Sequence, residues 1–127
     1  MPSMKTINFN KLGEELKVEL TFIGLITASY EFTVWAADSN DKIMHESGNN
    51  QNSQDDIYKL PVPIAQNDNR IIQLRTEFVG LDPINSKQFK IKIAVYQGTH
   101  IVGECDEEGE VNSKMQGSLI YAKLKGE

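Results

Sequence analysis

Apolar and polar residues alternate almost without a break from Gln88 to Tyr96. Phe89, Ile91, Ile93 and Val95 fall on one side, and Lys90, Lys92, Ala94 and Tyr96 on the other. A period of two is the mark of a strand with one buried and one wetter face. The pattern recurs. Leu16, Val18, Leu20 and Phe22 alternate with Lys17, Glu19 and Thr21, and Tyr30, Phe32, Val34 and Ala36 with Glu31, Thr33, Trp35 and Ala37. Ile72, Leu74, Thr76 and Phe78 form a further apolar face, and the run from Leu119 to Lys125 reads as the last strand.

Between these runs stand turn signals. Asp38-Ser39-Asn40-Asp41 carries short side chains that bond local backbone, so the segment from Tyr30 to Glu46 reads as a hairpin. Pro61-Val62-Pro63 excludes a central strand and suits an edge or a crossing between sheets. Asn67-Asp68-Asn69, the segment from Leu81 to Ser86 and the acidic run from Asp106 to Glu110 read as further turns, and Gln97-Gly98-Thr99-His100 closes the preceding strand into a hairpin with Ile101 to Cys105. The polar run 47–56 holds no core-forming residue and reads as a flexible loop, because nothing in it recovers the entropy of ordering. About seven to nine short strands of this kind predict an all-β single domain, an antiparallel two-sheet β-sandwich spanning 1–127. A jelly roll or barrel is the structural runner-up. Leu81-x-Pro83 followed by Phe89-x-Ile91-x-Ile93 loosely resembles the turn and late strand of fibronectin type III domains. Phe89 stands where that family has Tyr, the interval after Pro83 is longer, and two more strands follow, so no family is assigned.

The length of 127 residues supports one core without staples. The formal charge of −5 argues against a general nucleic-acid binder, which needs a basic footprint. Cys105 is the only cysteine, so an intrachain disulfide framework is excluded. The first ten residues are too polar for a signal-peptide core, and no stretch approaches the ~20 apolar residues of a membrane-spanning helix. Cytoplasmic residence is the default expectation, and a secreted chain whose leader had been removed would read the same.

Candidate chemistry is sparse. His45 and His100 are the only histidines, and His100 and Cys105 fall on opposite faces of one strand unless a bulge intervenes, so no catalytic triad emerges. One cysteine and two histidines offer no closed zinc site. Asp38, Asn40 and Asp41, with Asp106 in the acidic run, are weak calcium candidates, because that ion takes loop oxygens. Lys87, Lys90, Lys92, Lys123 and Lys125 would make a basic stripe if their two strands were neighbours.

Aromatic residues on wet faces are ligand or interface candidates: Trp35, Tyr96 and Tyr121. Trp35 lies opposite Phe32 and Val34 on its strand. With Ala37 and Ile23 it is expected to give that face more apolar area than a solvated sheet should carry. The expected function is a non-catalytic binding or interaction module that meets a protein partner or a second copy, as a subunit of a larger assembly would. The alternative is a carbohydrate- or calcium-dependent ligand-binding domain. Two observations separate them: a contiguous apolar patch favours assembly, while separated aromatics beside a groove with amide and carboxylate partners favour a sugar ligand.

Overall fold

The computed structural model describes residues 4–51 and 56–127. Nine strands stand among them: β1 Lys5–Phe9, β2 Leu16–Ile23, β3 Ile26–Trp35, β4 Lys42–Asn49, β5 Asp56–Lys59, β6 Ile71–Gly80, β7 Gln88–Gln97, β8 His100–Glu110 and β9 Gln116–Gly126. They form a five-stranded sheet in the order β1-β9-β6-β3-β4 and a four-stranded sheet in the order β5-β2-β7-β8. The molecule is therefore all-β, with the architecture of a β-sandwich. The inward sides of the alternating runs meet in one core, where Leu16, Val18, Leu20, Ile91, Ile93 and Val95 of one sheet face Phe32, Val34, Ile72, Leu74 and Phe78 of the other. Burying both apolar faces at once is what makes two stacked sheets stable.

Several segments depart from the sequence expectation. Asp106 to Glu110 is not a turn but the end of β8. Asp106 and Glu108 lie opposite Lys92 and Lys90 of β7 in register, and Lys90 Nζ stands 3.7 Å from Asp106 while Lys92 Nζ stands 3.0 Å from Glu104. Cross-strand opposite charges let an acidic run remain extended. The same pairing dissolves the expected basic stripe. Lys90 and Lys92 belong to the four-stranded sheet, Lys123 and Lys125 to the five-stranded one.

The polar run 47–56 is also more ordered at its ends than expected. Ser47 to Asn49 complete β4, and Asp56 opens β5, while residues 52–55 lie outside the described residues. Asn50 holds the end of β4 in place with its amide: Ala28 N donates to its Oδ1 at 2.9 Å, and its Nδ2 donates to Ile26 O at 2.9 Å. An amide that satisfies backbone groups anchors a segment without any apolar side chain.

Lys5–Phe9 was not read as a strand, yet it pairs in parallel with β9, from Lys5 opposite Ala122 to Phe9 opposite Gly126. Its signal is short because only Ile7 and Phe9 point inward. The Pro61-Val62-Pro63 segment carries the chain from β5 in one sheet to β6 in the other. A 3-10 helical turn, Ile64–Asn67, follows it. Buried Asn67 donates from Nδ2 to Pro61 O at 2.9 Å and accepts from Arg70 Nη1 at 3.0 Å.

The sandwich has two unlike poles. At one, the strand pairings end at Ile26 opposite Gly80, Phe78 opposite Gln116, Ile23 opposite Lys90 and Gln88 opposite Glu110. The connections after β2, β6 and β8 lie there, as do the end of β4 and the start of β5. The connections after β1, β3, β5 and β7 gather at the other pole.

Candidate functional site

Among the described residues a well-developed depression lies on the outer face of the five-stranded sheet. Trp35 ends β3, opposite Ile71 of β6 on one side and Lys42 of β4 on the other. A register shift between Val34 and Trp35 marks a bulge there, a device that re-aims a side chain at a sheet margin. One step inward, Gln73 of β6 lies between Thr33 of β3 and Tyr121 of β9. By strand alternation Trp35, Ile71, Gln73 and Tyr121 thus share one face. Trp35 and Tyr121 stand two strands apart, roughly 9–10 Å across the sheet.

The indole is oriented rather than loose. Trp35 Nε1 donates to Gln73 Oε1 at 2.9 Å, leaving the amide group of Gln73 with donors to spare. Lys42 Nζ sits 5.7 Å from the ring centroid, within reach of a cation–π contact worth about 0.5–1 kcal/mol at an exposed site. The ring is half-buried. Around it opens a depression of about 750 Å³ lined by Trp35, Tyr121, Ile71 and Met4 on its apolar side and by Gln73, Asp38, Asn40 and Lys42 on its polar side.

This depression does not stand alone. It shares Gln73 and Tyr121 with a second one of about 390 Å³, which also includes Arg75, Glu77 and Leu119. Arg75 and Glu77 in turn belong to a third, of about 160 Å³, beside Ser29 and Glu31. The three thus lie side by side on the outer face of the sheet, neighbours sharing lining residues.

Of the three aromatic candidates, Trp35 and Tyr121 meet in this place. Tyr96 does not. It belongs to β7 of the other sheet, opposite Lys17 and Ile101. Ile23, expected beside Trp35, also belongs to the other sheet, at the end of β2. Ala37, expected beside Trp35, does line the depression, with Ala36, while Thr33, Glu31 and Ser29 continue the face along β3.

The calcium candidates are divided in the same way. Asp38 and Asn40 line the depression, whereas the Asp41 carboxylate accepts from Ser39 Oγ at 2.9 Å within the β3–β4 turn. Asp106 is on β8 of the other sheet. Among the described residues no three His, Cys, Asp or Glu side chains converge.

The remaining reactive residues are separated. The bulge that could align His100 with Cys105 exists, at Val95/Tyr96, but five strand residues keep the two roughly 15 Å apart. Burial pushes the Cys105 thiol up to about 11, and nearby Lys5 only partly opposes this. Such a thiol is inert at neutral pH. His45 Nε2 lies 3.6 Å from Glu31 Oε1 on the outer face.

Gln73, Lys42, Ile71 and Arg75 went unrecognised in the sequence. Alternation places Gln73 outward between Ile72 and Leu74, but only the β3–β6 register brings it to the indole. Among the described residues no helix is long and apolar enough to cross a membrane. Comparison with known proteins finds no match to this chain, whether among family models, curated proteins or solved structures.

Proposed function

We propose that the protein is a non-catalytic binding module whose ligand site is the aromatic depression on the outer face of the five-stranded sheet, and that the ligand is a linear carbohydrate. The observation that carries this reading is the pairing of two separated rings, Trp35 and Tyr121, with Gln73 between them and bonded to the indole. Rings with polar rims suit sugars, which offer C–H faces for stacking and hydroxyls for hydrogen bonds. Amide, hydroxyl and carboxylate groups of Gln73, Asn40, Ser39 and Asp38 supply the polar partners. Three confluent depressions suit an extended chain better than a compact molecule. Beyond the depression the face turns to Arg75, Glu77 and Glu31, where a protein interface would call for a broader apolar centre.

Trp35 is the only tryptophan, so its emission reports on the site directly. Linear fragments of glucan, mannan and chitin, titrated singly, should include one that shifts Trp35 emission and binds measurably by calorimetry. Tyr121→Ala and Trp35→Ala should each weaken that binding by about 2 kcal/mol, roughly thirtyfold, while leaving the circular dichroism unchanged. Silence from all three polymer classes, or full affinity in the folded variants, would refute the reading.

A further inference from the structure

Two lysines bracket the aromatic depression. The cross-strand registers set Lys42 of β4, Trp35 of β3, Ile71 of β6 and Lys123 of β9 side by side in one row. Alternation turns Lys123 to the outer face with Tyr121, because Ser118, Ile120, Ala122 and Leu124 fill the buried side of β9. The two lysines therefore stand about 14–15 Å apart at the backbone, with the indole and Ile71 between them. Among the described residues neither is in an ion pair, although Lys11, Lys59, Lys90, Lys92 and Lys125 each are. Lys123 is half-buried and on an inner strand of its sheet, so it is not there to blunt an edge. Much of the chain's acid is placed elsewhere: Glu104, Asp106, Glu107, Glu108 and Glu110 stand on β8 of the other sheet. Asp38 is the acidic residue in the lining of the depression. Glu31, farther back along β3, lies opposite Arg75 and 3.6 Å from His45, and Glu77 lies toward the far end of β6.

We propose that the ligand of this depression is an acidic glycan, a chain of uronic acids whose carboxylates meet Lys42 and Lys123 while its sugar faces stack on Trp35 and Tyr121; this rests on the carbohydrate reading above. A uronate carries its carboxylate at the rim of the ring, where a neutral hexose carries a hydroxymethyl group. The C–H face stays open for stacking, and the charge points sideways toward flanking ammonium groups. A lysine ammonium offers three donors on a flexible stem, so it follows carboxylates that recur along a chain. Lys42 Nζ lies 5.7 Å from the indole centroid, within reach of the rim of a sugar stacked there. Hydrogen bonds between ionised groups are stronger than those a hydroxymethyl group makes. The carboxylates of β8 oppose this only weakly, since salt screens exposed charges beyond about 8–10 Å. Two exposed contacts of this kind together favour the acidic sugar roughly fivefold over the neutral one.

The test pairs each neutral fragment with its oxidised counterpart, glucan with glucuronan and mannan with mannuronan of the same linkage and length, read by Trp35 emission and calorimetry. At least one uronate should bind roughly fivefold tighter than its neutral counterpart at about 0.01 M salt, and the preference should fade by about 1 M. Lys42→Gln and Lys123→Gln should each lower that ratio, and the double variant should bring it to one, with the circular dichroism of the parent. Lys17→Gln, on the four-stranded sheet, removes the same charge and should keep the parent ratio. Uronates that bind no tighter than neutral fragments overturn the proposal and leave the carbohydrate reading standing. A preference untouched by both lysine variants, or lost equally in Lys17→Gln, overturns it as well. Silence from every fragment, neutral and acidic, removes the carbohydrate reading together with it.

Discussion

Tyr30 shows how a polar atom is carried inside this sandwich. Its ring is buried, stacks on Phe22 at 5.5 Å between centroids, and lies against Gly48, where a Cβ would meet the hydroxyl at 2.7 Å. The hydroxyl donates to Asp56 Oδ1 at 2.7 Å and shares a hydrogen bond with Tyr58, linking β3 of one sheet to β5 of the other. Removing it leaves two partners without their bond, so Tyr30→Phe should lower the unfolding free energy by about 1–3 kcal/mol in chemical denaturation. Burial, followed by the bonds to Tyr58 and Asp56, pushes the Tyr30 hydroxyl far above its ordinary value. The folded state therefore keeps a proton that the unfolded chain surrenders near pH 10. Its contribution is whole below that pH and declines above it. The parent should lose stability faster than Tyr30→Phe as pH rises past about 10, and parallel curves would place the alkaline loss elsewhere.

At the scale of elements, the connection between β5 and β6 is fastened to β9 by backbone bonds, Asn69 N donating to Leu124 O at 2.7 Å and Leu124 N to Arg70 O at 2.9 Å, and by one carboxylate. Asp68 Oδ1 accepts the Gly126 N–H at 2.8 Å, and Lys11 Nζ and Lys125 Nζ approach the carboxylate at 3.3 and 3.7 Å. Chiefly through the Gly126 N–H, and then through the two lysines, its acid is held below the usual range. A depressed carboxyl contributes stability above the unfolded value near pH 4 and loses it as pH falls further. The difference in thermal midpoint between the parent and Asp68→Asn should be full at neutral pH and shrink as pH falls below about 4, and a pH-independent difference would contradict this. The extended runs themselves were legible because side-chain alternation is local: Gln88 to Tyr96 announces β7 unaided. Asp106 to Glu110 was misread for the converse reason, since the lysines that let it lie flat are on the neighbouring strand. The start of β3 was missed because Ile26 to Ser29 offers only Ile26 and small Ala28 to the core.

For the whole molecule, two facing sheets followed from the number and period of the apolar runs, while strand order did not. The turn at Gln97 to His100 marks the β7–β8 hairpin locally, but other neighbours are chosen by long-range fit, and nothing local says that β2 flanks β7 or that β6 lies between β3 and β9. The candidate site was half legible for the same reason. Trp35 and Tyr121 could be placed on wet faces, but their meeting across Gln73 depends on β6 lying between their strands. Tyr96 carried an equal local signal and ended on the far sheet.

The parallel pairing of β1 with β9 has a mechanical consequence. Tension applied ahead of Lys5 and behind Gly126 slides the two strands past each other, so the five register pairs from Lys5–Ala122 to Phe9–Gly126 bear the load together. Tension between Leu12 and Glu127, which leave the same end of that pair, instead peels it open one pair at a time. Rupture under load is governed by the unfolding rate, so single-molecule stretching should find a markedly higher breaking force in the first geometry than in the second. Equal forces would show that the joint between the first and last strands is not where the sandwich resists being pulled apart.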